Sequence, residues 1–192
     1  MQLGFFRENY IQFTLGALTE QINKNFTKLF TKIVRRIMEN LEDLYNEIIM
    51  EHSMNSYNKK KLDSCDFCEL GHNPNCGDEI ELEVKLNGNV IEDMAFTGHG
   101  CAISQASTDI MIETVRGKTV EEAKKIIETF IGMIKREITD EHELEKLEEA
   151  ISLRNVSNMP ARVKCALLAW HTLEDILNKN LESGKGNINC CN

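Results

Sequence analysis

Between Ile80 and Leu86 apolar and charged residues alternate position by position: Ile80, Leu82, Val84 and Leu86 against Glu81, Glu83 and Lys85. In extended backbone, successive side chains leave on opposite faces. The stretch therefore predicts a strand with its apolar face on helices and Glu81, Glu83 and Lys85 left to solvent. Asn87-Gly88 follows at once, the pair favoured in two-residue hairpin turns, and Val90 to Phe96 is predicted to return antiparallel.

Elsewhere the period is that of a helix. Over 19–51, Phe26, Leu29, Phe30, Ile33, Val34, Ile37, Leu41, Leu44, Tyr45 and Ile48 recur at three- and four-residue spacing, a stripe that faces a core or a partner. Residues 53–75 are polar, break the period, contain Pro74 and read as a loop. Ser104 to Val115 reads as helix. Thr119 with Glu122 forms a capping-box pattern ahead of a helix from Val120 to about Arg136. Glu141 to Ser152 reads as a charged helix. Asn158 and Pro160 open a last helix that runs to about Leu181. The expectation is an α+β fold, a small antiparallel sheet of about three strands covered on one face by helices. The polar end, 183–192, is expected to be a flexible tail.

Charge divides the chain. Residues 1–38 carry six basic side chains (Arg7, Lys24, Lys28, Lys32, Arg35, Arg36) against Glu8 and Glu20, a net of +4, and the remainder carries −13. An acidic body repels phosphate backbones, so nucleic-acid binding is not expected. With 192 residues, 42% of them hydrophobic and only two prolines, the chain can bury one good core. No apolar run approaches the ~18 residues that cross a bilayer. No secretory signal pattern is evident, and a cytoplasmic location is expected.

Seven cysteines, in a chain too long to need a disulfide framework, point to metal binding or thiol chemistry. Cys76 and Asp78 stand two apart across Gly77 at the mouth of the predicted strand, so both face one side. Cys101 follows the Gly98-His99-Gly100 bend. Cys165 lies in the first turns of the last helix, where the positive end of the helix dipole favours thiolate. Arg162, three residues earlier, shares that face and adds positive charge. Three thiols and a carboxylate suit zinc or an iron–sulfur cluster. His99 reads as a loop histidine rather than a ligand, and His72 also lies near the ligands in sequence.

The segments NPNCGDEIEL, VIEDMAFTGHGCAISQAS and MPARVKCALLAWHTLEDIL, in that order, resemble the three ligand-bearing segments of the U-type iron–sulfur cluster assembly scaffold family (IscU/NifU-like). EDLYNEIIMEH resembles that family's first helix, so the likeness covers about residues 39–182. It implies a SufE/IscU-like fold, with Cys76, Asp78, Cys101 and Cys165 as ligands of zinc or a nascent [2Fe–2S] cluster. Lys164 stands where the ISC branch has a histidine. The 63 residues between Cys101 and Cys165 leave room for the segment that the SUF-type branch inserts, and Arg162 matches that branch. The resemblance therefore implies sulfur transfer with a SufS-like cysteine desulfurase as partner and other assembly or acceptor proteins downstream. Cys76 is the expected sulfur acceptor, Arg162 its thiolate support, and Asp78 a weakly held ligand that keeps the site labile. The same four residues would serve a scaffold that builds and hands on a cluster. A purely structural zinc domain is disfavoured, because such sites close with cysteine or histidine.

Three features depart from the pattern. Residues 1–38 are additional and read as an over-long start or a basic amphipathic helical extension. Cys65-x-x-Cys68 is a half-site without a matching second pair, completed by Cys190-Cys191 only if the tail folds back, and is expected to be solvent-exposed. HSMNSYN, residues 52–58, replaces a more basic, proline-containing segment.

Overall fold

The computed structural model describes residues 27–37 and 43–183. Two compact units, Met1–Leu44 and Tyr45–Asn192, are distinguished. In the first, residues 27–37 form helix α1. Helix α2 spans 43–54, so the reading of 19–51 as one helix is described only in two pieces, with 19–26 and 38–42 outside the described residues.

The sheet has three antiparallel strands in the order β1 (Phe67–Asn73), β2 (Asp78–Asn87), β3 (Val90–His99). The β2–β3 hairpin turns at Asn87-Gly88, and Gly88 has the positive φ of +62° that such turns require. Ile80, Leu82 and Val84 are wholly buried as the alternation predicts. Leu86 is only half-buried, since the register shifts between Lys85 and Leu86.

Glu83 corrects the register argument at one point. It sits on the outer face yet is only 5% exposed. The segment before β1 crosses that face, and the Leu62 amide donates to Glu83 Oε2 at 2.6 Å. Alternation correctly gives the face, but a covering loop decides the solvent.

Strand β1 lies inside the stretch read as a loop. FCELGHN alternates poorly, and pairing of Phe67 through Asn73 with β2 makes it a strand. Its Cys68, opposite Glu83, donates to Glu81 Oε1 at 3.3 Å. Cys65 and Cys68 are both half-buried rather than solvent-exposed.

On the inner face lie α3 (Ala102–Val115) and α6 (Pro160–Ser183), with α4 (Val120–Lys135) packed against α6. Thr119 caps α4 with the full capping box: its hydroxyl accepts from Glu122 N, and Glu122 accepts from Thr119 N. Trp170 of α6 stacks on Phe130 of α4 with ring centroids 3.9 Å apart, and its indole N–H donates to Ser107 of α3 at 3.0 Å. Three helices are thus tied through one buried side chain.

The expected helix from Glu141 to Ser152 is instead the short α5 (Glu141–Leu144) followed by a 3-10 segment, Glu145–Asn158, kinked at Glu148 (φ 50°). Leu144, Leu147, Ala150, Leu153 and Val156 are all buried. Their spacing is three throughout, the period of a 3-10 helix, in which residues i and i+3 eclipse. Residues 184–192, with Cys190 and Cys191, lie outside the described residues.

Candidate metal centre

Four segments meet at one end of the sheet: the β1–β2 turn, the start of β2, the β3–α3 junction and the first turns of α6. Gly77, at φ +69°, closes the turn between Cys76 and Asp78. The junction needs Gly98, whose φ is +111° and where a Cβ would lie 2.1 Å from Glu79 O. This close approach brings β3 across β2 and carries Cys101 to Asp78. The Cys101 amide donates to Asp78 Oδ1 at 2.9 Å.

The ligand atoms of Cys76, Asp78 and Cys165 all lie within 4.8 Å of one another. Cys76 and Cys165 Sγ are 3.1 Å apart. Cys101 is not part of that mutual set, although its backbone amide meets Asp78. The structure thus gathers all four predicted residues, three tightly and Cys101 at their edge. Cys165 and Asp78 are buried, Cys101 is half-buried and Cys76 is exposed. Asn73 Nδ2 donates to Cys165 Sγ at 3.6 Å, a contact that the reading of 53–75 as loop missed. His99 ends β3, exposed, and His72 is exposed on β1. Neither joins a ligand group among the described residues.

Asp78 Oδ2 is buried with no hydrogen-bond partner among the described residues, and so is Ser104 Oγ. A Cβ at Gly100 would lie 3.1 Å from Ser104 Oγ and 3.3 Å from Asp78 Oδ1, so both border the same small space. A buried carboxylate oxygen without a donor is costly unless a cation meets it. Two sulfurs and that oxygen lie close enough to share a soft-metal ion, and Cys101 stands at their edge.

Burial pushes the Cys165 thiol well above its ordinary value, and the neighbouring Cys76, Asp78 and Cys101 push it further. The Arg162 guanidinium is itself held above its usual range by the Cys101 charge and its hydrogen bond to Cys165. A bound cation reverses that logic, because a coordinating thiol is deprotonated outright. Beside the centre, His72, Asn73, Pro74, Asn75, Leu168 and His171 line part of a groove of about 260 Å³.

A three-stranded antiparallel sheet with helices on one face, and three thiols and a carboxylate at its end, defines a small α+β domain built to hold a soft metal. The model of the NifU-like N-terminal domain matches residues 44–179, and the chain belongs to that family. It is 40% identical over 136 residues to the Bacillus subtilis protein named zinc-dependent sulfurtransferase SufU, covering 70% of this chain and 90% of that one. It is equally 40% identical over 136 residues to the Thermotoga maritima iron–sulfur cluster assembly scaffold protein IscU, covering 71% and 94%. Among solved structures it resembles the putative SUF-system scaffold protein of Fervidobacterium islandicum at 42% identity and a TM-score of 0.64. That match covers 68% of this chain and 94% of that one.

Proposed function

We propose that this chain is an iron–sulfur cluster assembly protein of SufU type, which accepts persulfide sulfur from a cysteine desulfurase. The observation that carries the reading is the asymmetry of the centre: Cys165 and Asp78 are buried, while Cys76 is exposed. Cys76, Asp78, Cys101 and Cys165 would hold zinc, which when bound keeps the thiols ionised near neutral pH. The Cys76 thiolate attacks the outer sulfur of the desulfurase persulfide. The persulfide S–S bond breaks, the desulfurase cysteine leaves as thiolate, and a new S–S bond on Cys76 carries the sulfur. Arg162 stabilises the anionic sulfurs on both sides of that exchange. Asp78, a hard oxygen donor among soft sulfurs, would be the most weakly held of the four ligands. The groove beside β1 and α6 offers the desulfurase an approach to Cys76.

The relatives named as scaffolds support a second reading, in which the same four residues hold a nascent [2Fe–2S] cluster. The iron, zinc and sulfide content of protein purified without oxygen separates the two. The test of the first is to mix the chain with a cysteine desulfurase and cysteine and to map persulfide by mass spectrometry. Cys76→Ser should abolish sulfur acceptance, since a hydroxyl cannot carry a persulfide. Undiminished stimulation of the desulfurase by Cys76→Ser would defeat the assignment, and sulfur found on Cys65 or Cys68 would move it there.

A further inference from the structure

Helix α1, TKLFTKIVRRI over 27–37, belongs neither to the family match nor to the metal centre. At 100° per residue its five apolar side chains fall within an arc of about 140°, and its four cations within an opposing arc of about 100°. Leu29 is 58% exposed, Ile33 49%, Val34 37% and Ile37 54%. Lys28, Lys32, Arg35 and Arg36 occupy the other side with the two threonines, and there is no acidic residue in the helix. An apolar face this continuous on a soluble chain marks an interaction surface.

The occupant must offer an apolar medium and negative charge together. A second α1 would supply the first but set four cations against four. A nucleic acid would supply the second and leave the apolar face in water. A bilayer containing anionic lipid supplies both, in the order that the helix presents them: acyl chains under Leu29, Ile33 and Ile37, phosphates beside the lysines and arginines. A short amphipathic helix gains stability when its apolar face leaves water, and the interface would supply that. The −13 remainder resists non-specific adsorption, which confines attachment to this segment.

We propose that α1 is a membrane-surface helix that seats the protein reversibly on anionic lipid. The test is co-sedimentation of the full chain with vesicles of phosphatidylglycerol and phosphatidylcholine, and with phosphatidylcholine alone. The chain should sediment with the anionic vesicles only, and less as salt rises. Ile33→Glu should abolish binding by placing a charge in the apolar arc. The Lys32→Gln/Arg36→Gln pair should lower the partition coefficient by about 30-fold, roughly five-fold for each cation. Metal content should be the same in all three proteins, because the ligands lie elsewhere. Three results would each overturn the proposal: no sedimentation of the full chain, equal sedimentation on phosphatidylcholine alone, or retention of binding by Ile33→Glu. The first is what is expected if the apolar face is instead covered by the preceding segment with Phe5, Phe6 and Phe13.

Discussion

Among the described residues, two groups of side chains bring potential metal-binding atoms close together, yet they are built for different ends. Cys76, Asp78 and Cys165 form one, and His52, Glu113 and Glu149 form the other. In the first, Asp78 Oδ2 is buried and unsatisfied. In the second, the histidine is already engaged on both sides. His52 Nδ1 lies 2.7 Å from Asp109 Oδ2, and Nε2 lies 3.3 Å from Glu149 Oε2. Asp109, 1% exposed, also accepts from Ser56 Oγ and from Asn58 Nδ2 at 2.8 Å. That cluster clamps α2 and the following loop onto α3 and the 3-10 segment. Proximity alone does not distinguish a ligand set from an ion-pair clamp, whereas an unmet donor or acceptor does.

The contrast is open to three tests, from the largest effect to the smallest. Cys165→Ser should lower zinc affinity by at least about 100-fold, more than losing an outer-shell partner costs, and lower Tm with it. His52→Ala should leave zinc affinity unchanged, and chelator competition on both variants measures the difference. A zinc defect in His52→Ala would erase the distinction. Next, Asp109→Ala should destabilise the fold by about 3 kcal/mol, since it strands the buried Asn58 and the part-buried His52 and Ser56. Denaturant midpoints check this, with zinc stoichiometry preserved. The smallest effect is on pH dependence. Burial lowers the His52 pKa, but Asp109, Glu149 and Glu113 together hold it above the ordinary 6.5. The clamp therefore contributes fully below the unfolded value and loses this contribution as pH rises through the raised folded value. A Tm series against pH should show that loss in the natural chain and a flatter profile in His52→Gln.

Much of this was legible in the chain because the signals are local. Ile80, Leu82 and Val84 declare a strand by alternation, Asn87-Gly88 a hairpin and Thr119 with Glu122 a helix start. The four proposed ligands could be named because each stands at a recognisable boundary, in a segment that resembles the family's. What escaped depends on distant partners. FCELGHN becomes a strand only when β2 lies beside it, and Glu83 is buried only because Leu62 crosses above it. The clamp joins positions 52 and 109, which no spacing rule connects. The 3-10 segment was legible in principle. Leu144, Leu147, Ala150, Leu153 and Val156 keep a period of three, but the eye accepts threes as part of a helical pattern of threes and fours.

Gly71 of β1 lies against α6, where a side chain would begin 2.3 Å from Thr172 Oγ1 and 3.3 Å from Leu168 Cδ1. The strand that leads to Cys76 and the helix that carries Cys165 therefore touch backbone to side chain, with no cushion between them. Two sulfurs 3.1 Å apart are held by a bearing surface that has almost no clearance. A push on the outside of α6 is passed to the sulfurs rather than absorbed along the way. A partner leaning on that helix would have a mechanical handle on the spacing of the two thiols.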